Sequence, residues 1–329
     1  MIRSSPYTRY LRIVITLVFG ILLSALWSLS AGAIDFSWRV IANTVFQIDG
    51  PRQDNIIMNS RLPRTLLALL TGASLAISGT IIQAMLRNSL AIPKIIGINS
   101  GAALFVCLLV IVLPLLPVTY FPLAAILGGC LARAFGHFVS ERKGASPIRL
   151  ALIGIAVGYC FDSGVNFMLL TAPSCQFSTL LVWLTGSLWL RGWSHFNMVW
   201  PALCLLTSFS LLLIFRLNLM SLGAQSLEVQ VHVERLILLM LASLCVSVVG
   251  VLGFIRLMAP HIARNIAGGD HRVMLPVAAL VGSLLVVLAD AIERDLAPPL
   301  EISAGILTAL LGAPFFVFIM VKKAKVEDL

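Results

Sequence analysis

Long apolar runs separated by short polar stretches are the dominant pattern of this chain. A helix of about 20 apolar residues is long enough to cross the hydrocarbon core of a bilayer. Read for such runs, the sequence predicts an all-α polytopic membrane protein with about ten transmembrane helices, in which residues 1–329 form one transmembrane domain. The predicted spans are 13–34, 65–86, 96–115, 118–136, 149–171, 195–215, 236–254, 257–268, 273–292 and 303–321.

Two stretches depart from the pattern of full spans. The run 257–268 is short, and Gly250, Gly253 and Pro260 interrupt the sequence around it, so a half-span or re-entrant helix is an alternative there. A further apolar helix over about 178–189 is too short to cross and is expected to lie at the membrane surface.

Composition supports this fold class. Of the 329 residues 59% are hydrophobic and 11% are charged, and the mean hydropathy is +1.01. A soluble domain of this size needs far more polar surface. The net charge of +9 does not indicate nucleic-acid binding, since no basic stripe with interleaved aromatic residues is present.

The basic residues indicate an orientation. With ten spans, sixteen of the 23 lysines and arginines fall on one side of the membrane and six on the other, with Arg256 ambiguous. The positive-inside rule then places both termini in the cytoplasm. The six residues predicted on the outer side are Arg39, Arg52, Arg61, Arg64, Arg191 and Arg294.

Small residues recur at helical spacing in two spans. Such stripes allow helix backbones to approach closely. The stripe in the second span is predicted to pack within the chain, whereas the one in the last span fits internal packing, a subunit interface or a moving gate. The two stripes are Gly72, Ala76 and Gly79, and Gly305, Ala309 and Gly312.

Asp162 is the only carboxylate deep inside an apolar run. A charge at that depth needs a partner or a water-filled cavity, so Asp162 is a candidate pathway residue. An ion relay usually needs several such groups, and Asp290 lies near the end of its own span.

Motifs for catalysis or nucleotide binding are missing from the sequence. It contains no GxxxxGK[ST], HExxH or GxSxG motif, and its five histidines and six cysteines are scattered. We therefore expect a protein that is not an enzyme, holds no metal and takes its energy from a partner or a gradient.

Four stretches resemble one family, the FecCD/BtuC-type permeases of ABC importers for ferric siderophores and cobalamin. They are RLPRTLLALLTGASLAISGTIIQAMLRNSLAIPKIIG (61–97), WLTGSLWLRGW (183–193), GFIRLMAPHIARNIAGGDHRVMLPVAALVGSLLVVLADAIER (253–294) and GILTALLGAPFFVFIM (305–320). The segment 183–193 is most similar to the iron-siderophore branch and, within it, to ferric-citrate permeases.

The resemblance implies a multi-pass permease subunit in the inner membrane of a bacterium. It implies four kinds of partner: the lipid membrane, cytoplasmic ATPase subunits, a second permease subunit, and a periplasmic or lipid-anchored siderophore-binding protein. The chain itself would bind no cofactor, because the partner ATPase uses ATP and magnesium.

The family also suggests roles for particular residues. Arginines at the positions of Arg61, Arg64 and Arg294 meet acidic residues of the binding protein in this family, although anchoring in lipid headgroups is an alternative. Pro63, between the first two, suits the first turn of a helix.

The link 218–235 matches the ATPase-coupling segment of the family. Its sequence SLG supplies Ser221, Leu222 and Gly223, and SLEVQV, which contains Glu228, stands where a second Leu-Gly pair is usual. Two other departures are Arg256 in place of a glycine and Ser89 in place of a proline.

Alternative functions remain at this point. An ion-gradient-driven transporter of a small solute would require buried ionisable residues in several spans. Cobalamin or haem would suit the same importer type as well as an iron complex does. The sequence leaves the ligand open, and also whether the two permease subunits are identical.

Overall fold

The protein is helical throughout the part of the chain that the structure describes. This computed structural model describes residues 6–45 apart from 33 and 35, 54–89, 97–140, 147–221, 231–296, and 303–317 apart from 311, 315 and 316. The expectation of an all-α fold is confirmed for these residues, which form helices joined by short links.

Fourteen α-helices, two of them joined by a π-helical turn over Ile57–Arg61, make up the described chain. They are α1 (Pro6–Ser30), α2 (Trp38–Val45), α3 (Asp54–Ile56), α4 (Leu62–Leu86), α5 (Ile98–Val112), α6 (Phe121–Ser140), α7 (Pro147–Thr171), α8 (Ser174–Thr185), α9 (Trp193–Leu212), α10 (Ile214–Ser221), α11 (Val231–Val249), α12 (Ile255–Ala267), α13 (His271–Leu296) and α14 (Ala304–Pro314).

Six of these helical stretches are long and apolar enough to cross a membrane. They include α1, α4, α6, α7, α9 and α13, and three shorter apolar helices lie over Ile98–Val112, Leu236–Val249 and Ala304–Pro314. A multi-pass membrane protein is thereby established, while the full count of ten spans stays a prediction.

The short helix α12 is preceded by a non-helical segment. Its 13 residues reach about 20 Å, and residues 250–254 before it add the length that the eighth predicted span needs to cross the hydrocarbon core. Gly250, in a left-handed conformation with φ +75°, ends α11, and a short turn leads into α12.

The boundaries of the surface helix near residue 180 were predicted wrongly. The apolar pattern suggested 178–189, but α8 begins at Ser174 and ends at Thr185. Gly186 follows with φ +85°, a conformation that breaks the helix although apolar residues continue beyond it.

The centre of the fold is the pair α4 and α13. A methyl group on Gly72 would lie 2.8 Å from the carbonyl carbon of Gly282, so the two backbones touch. Gly79 meets the backbone of Arg256 on α12 just as closely. The predicted packing role of the first small-residue stripe is confirmed, because glycine at these positions lets α4 become the central helix.

Candidate functional site

Arg61 stands at the junction between the π-helical turn and α4, with Pro63 in the first turn of that helix. Its Nη1 donates to the carbonyls of Leu29 and Ser30, both at 2.8 Å, and its Nη2 donates to Ile34 at 2.6 Å. Only 7% of the residue is exposed. Arg61 therefore caps the C-terminal end of α1, where a cation is favoured by the helix dipole.

Arg64 and Arg294 converge on one carboxylate. Arg64 Nε lies 2.6 Å from Asp290 Oδ1, and Arg294 Nη2 lies 2.7 Å from Asp290 Oδ2. Arg64 Nη2 also reaches Glu293 Oε1 at 3.3 Å. We call Arg64, Asp290, Glu293 and Arg294 the outer cluster, after the side of the membrane on which the sequence predicts the two arginines; it joins two basic and two acidic side chains.

The members of the outer cluster are held by the geometry of two helices. Positions 290, 293 and 294 lie on one face of α13, and Arg64 projects from the first turn of α4 toward that face. All four are buried, with exposed fractions of 5% for Arg64 and 7% for Arg294 and no exposure for the acids. Burial of four charges is tolerated because each is paired and hydrogen-bonded.

Hydroxyl groups surround the cluster. Ser28 of α1 contacts Arg294 through its Oγ and lies 2.9 Å from Thr65 Oγ1. On the other side, Ser187 Oγ donates to Glu293 Oε1 at 3.4 Å. The cluster therefore ties α1, α4, α13 and the link after α8 together.

The link that supplies Ser187 also holds the start of α14. The carbonyl of Gly186 accepts hydrogen bonds from Gly305 N at 2.8 Å and from Ser303 Oγ at 2.6 Å. Gly305 is so close to the carbonyl of Thr185 that any side chain would overlap it. Leu190 in the same link is 74% exposed and has φ +57°.

The predicted gate residues of the last span fall into two groups. Gly305 and Gly312 pack inside the chain, the latter against Phe254 and Met258, whereas Ala309 is exposed. Of these three residues, Ala309 is the one that lies on the exposed face of α14.

Arg191 lies in the link after α8, the link that also supplies Ser187. Its Nη1 lies 3.1 Å from His195 Nε2, and burial lowers the pKa of the Arg191 guanidinium to about 10. The group remains a cation at neutral pH, because this value is still well above 7.

Asp162 is half-buried on α7. The exposed side of this helix carries Tyr159, Ser163 and Asn166 as well as apolar residues. Polar side chains on the outside of a membrane helix favour contact with a partner or with water over contact with lipid.

The opposite end of the molecule carries the start of the link 218–235, the segment predicted to be the cytoplasmic ATPase-coupling link. Ser221 is exposed at the end of α10, and its Oγ donates to the carbonyl of Asn218 at 2.7 Å. Leu222, Gly223 and Glu228 lie outside the described residues. At the base of the link, Arg216 Nη1 and Glu234 Oε1 are 3.5 Å apart.

Asn218 is a residue that sequence analysis did not single out. Its Nδ2 donates to Asp270 Oδ1 at 2.8 Å, and its Oδ1 accepts from the backbone N of His271 at 2.9 Å. The backbone of Arg272 also donates to Asp270 Oδ1, and these hydrogen bonds lower the pKa of the Asp270 carboxyl, with the Arg272 contribution the larger. Asp270 is accordingly a carboxylate at neutral pH.

Arg256, the departure noted in the sequence, is completely buried. It contacts Asn99 Oδ1 through Nη1, and its Nη2 donates to the carbonyl of Ala242 at 3.4 Å. The side chain thereby joins α12 to α5 and α11. Arg256, whose side of the membrane the sequence left ambiguous, thus contacts the interior of the helix bundle.

Asp290 and Glu293 are the other site residues that sequence analysis missed. They lie more than two hundred positions from Arg64, so no local pattern connects them. The signal available was the placement of Asp290 four residues before Arg294 near the end of an apolar span, where a carboxylate needs a cationic partner.

Comparison with known proteins agrees with this architecture. Fold and site together define a polytopic α-helical membrane protein with a buried ionic cluster at one end and a polar link at the other. The sequence profile of the FecCD transport family matches residues 18–322, and the chain belongs to this family.

Relatives of the family are similar over nearly their full length. The Fe(3+)-citrate import system permease protein YfmE of Bacillus subtilis is 38% identical over 322 residues, covering 96% of each chain. The Fe(3+) dicitrate transport system permease protein FecD of Escherichia coli is 40% identical over 305 residues, covering 91% of this chain and 94% of its own.

A solved structure has the same fold. It is a metal-chelate type ABC transporter in an inward-facing conformation, with a TM-score of 0.83 and 31% sequence identity. The match covers 94% of this chain and 99% of that one.

Proposed function

We propose that this chain is the permease subunit of an ABC importer that carries a ferric iron complex of the citrate type across the inner membrane of a bacterium. The observation that carries this proposal is the family membership over 18–322, together with relatives whose names specify ferric citrate import. ATP and magnesium are used by separate ATPase subunits, and this chain supplies the membrane passage without a bound cofactor.

Ten spans with both termini in the cytoplasm complete the proposal. Support comes from the sixteen-to-six distribution of basic residues and from the arrangement of the helix ends. Arg9, at the start of α1, donates to the carbonyl of Ile266, close to Asp270 and the cytoplasmic link. The outer cluster lies at the opposite end of α13.

Docking of a binding protein at Arg61, Arg64 and Arg294 is part of the proposal. Their burial changes how docking would work, because Arg64 and Arg294 already bind Asp290. A carboxylate of the binding protein would join or replace a carboxylate that is present. Charge complementarity would then fix orientation and association rate more than affinity.

We place the transport pathway on the exposed side of α7, covered by a second permease subunit. Tyr159, Ser163 and Asn166 supply a polar surface, and the half-buried Asp162 stands beside it. In this arrangement Gly305, Ala309 and Gly312 of α14 form a gate element, whose two glycines hold it to this subunit and whose Ala309 faces outward.

Coupling to the ATPase is assigned to the link 218–235, through Ser221, Leu222, Gly223 and Glu228. Ser221 is exposed at the end of α10, which suits contact with a cytoplasmic partner. Movement of this link would drive exchange between outward-open and inward-open states.

Uptake of radiolabelled iron tests the function. Cells that lack the chain should lose uptake of ferric citrate and regain it when the chain is restored, and depletion of ATP should abolish it. Uptake that survives ATP depletion but collapses with an uncoupler would favour the ion-gradient alternative. Parallel assays with hydroxamate and catecholate complexes, haem and cobalamin would show whether another ligand is the substrate.

A further inference from the structure

Each end of α13 carries a polar site built from described residues. The helix has 26 residues and is about 39 Å long, more than the thickness of the hydrocarbon core. Asp290, Glu293 and Arg294 lie in its last two turns, and His271 is its first residue. One helix thus connects the outer cluster with the region of the cytoplasmic link.

α4 runs beside α13 over the same distance and is joined to it along the way. Gly72 and Gly282 bring the two backbones into contact, and Ser283 Oγ donates to the carbonyl of Leu69 at 2.7 Å. Arg64 binds Asp290 at one end. Closely packed backbones without intervening side chains resist relative sliding, so we treat α4 and α13 as one mechanical unit, the central pair.

The cytoplasmic end of the central pair is fastened to α10. Asn218 binds Asp270 and His271, at the N-terminus of α13. Arg87, the residue after α4, donates from Nε to the carbonyl of Met220 at 3.1 Å. The second half of α10, where the link 218–235 begins, therefore contacts the ends of both helices of the central pair.

We infer that Asn218 is a positioning residue that joins the ATPase-coupling link to the central pair, so that movement of the link reaches the outer cluster. The inference rests on the proposed function. The side-chain amide of Asn218 is suited to this role because it donates to Asp270 and accepts from the backbone of His271 at the same time. A hydroxyl or an ammonium offers fewer simultaneous hydrogen bonds. Because coupling between two sites is reciprocal, nucleotide state inside and docking outside should then affect each other equally.

The test measures that coupling directly. The complete complex, with the ATPase subunits and binding protein that purify with it, is reconstituted in nanodiscs. The affinity of the binding protein for the complex is measured without nucleotide and after trapping with ATP and vanadate.

For the native chain we expect the two affinities to differ by about tenfold, within the usual range for coupled sites. For Asn218→Ala we expect a ratio close to one, with the nucleotide-free affinity within about twofold of native, because the outer cluster at the far end of α13 is unchanged.

A second disruptive variant and a rescue exclude a general folding defect. Asn218→Asp places two carboxylates opposite each other and should also bring the ratio of the two binding-protein affinities close to one. Combining it with Asp270→Asn removes one of the two facing carboxylates and should restore part of the ratio, since the asparagine Oδ1 can still accept from the backbone N of Arg272 and its amide N can donate to the carboxylate at position 218. Asn265 is an exposed asparagine at the same end of the molecule. The variant Asn265→Ala is therefore the matched control and should keep the tenfold ratio of the native chain.

The outcomes separate the two levels of the proposal. Absence of ATP-dependent iron uptake would overturn the proposed importer function, whereas uptake by a native complex whose affinity for the binding protein ignores nucleotide would overturn the coupling between the link and the outer cluster. A native complex that responds to nucleotide, together with an Asn218→Ala complex that responds equally, would leave the importer function standing and overturn the role of Asn218.

Discussion

Arginine is used at the outer end of this protein for its planar, multiply donating side chain. Arg61 donates to three carbonyls, and Arg64 uses two different nitrogens for two different acids. A lysine ammonium could not reproduce this spread of donors in fixed directions. Asp290 is the complementary residue, because each of its two oxygens accepts from a different arginine.

The shared carboxylate leads to the first prediction, on stability. Asp290→Asn keeps the shape of the side chain but leaves two buried guanidinium groups with one anion between them. Removing one partner of a buried ion pair lowers the free energy of unfolding by about 3–5 kcal/mol. We expect a decrease near the lower limit, because the amide oxygen still accepts one hydrogen bond. Unfolding of the purified protein by denaturant in detergent micelles measures the change.

Asp295→Asn provides the comparison, since Asp295 lies on the same helix but is exposed. Its effect should stay within about 0.5 kcal/mol, as is usual for surface positions. Similar losses in both variants would show that Asp290 is not a central partner of Arg64 and Arg294.

Among the elements, α4 depends most on small side chains. Arg64 lies in its first turn, and the middle of α4 gives up side-chain volume to approach α13 and α12. Without water or a hydrophobic driving force between helices in a bilayer, such close packing is a main source of association energy. Adding a single methyl group to a glycine of this stripe should therefore be sufficient to disturb the packing of α4 against α13 and α12.

Gly72→Ala tests this second point. The added methyl group would overlap the backbone of Gly282 and force the two helices apart, which we expect to cost about 1–3 kcal/mol, as overpacking usually does. The measurement is again unfolding in micelles, and loss of the ionic contact between Arg64 and Asp290 should accompany it.

Gly20→Ala is the matched variant, because the nearest atoms to its new methyl group, on Leu284, are 3.7 Å away. Alanine is the better helix former, so this change should be neutral or stabilising by about 0.5–1 kcal/mol. A destabilisation of the same size as that of Gly72→Ala would contradict the packing argument.

Sequence reasoning predicted most elements and part of the site. Apolar length was sufficient to find α1, α4 and α13, and the small-residue spacing identified the face of α4 that packs. It failed at α8, since apolar residues continue past Gly186 and hydropathy does not register a left-handed glycine. It also could not pair Arg64 with Asp290 and Glu293, because that contact depends on the relative placement of two helices far apart in the chain.

At the scale of the whole molecule, one polar site lies at each end of α13. The link carrying Ser187 and Leu190 contacts the outer cluster through Glu293. Asn265 lies at the end of α12, a few residues before Asp270 and its bond to Asn218. The proposed orientation makes the first of these ends periplasmic and the second cytoplasmic, and the distribution of basic residues supports that assignment.

Labelling with a membrane-impermeant maleimide tests the orientation. In a chain whose native cysteines are replaced by serine, Leu190→Cys should react in intact spheroplasts, because this position is 74% exposed in the link after α8. Asn265→Cys should react only after the membrane is permeabilised, since it lies at the opposite end of the central pair. The reverse pattern would invert the protein in the membrane and move the outer cluster to the cytoplasm, where no periplasmic carrier could reach it. Reaction of both positions in intact spheroplasts would contradict the separation of the two ends by a bilayer, on which both docking and coupling depend.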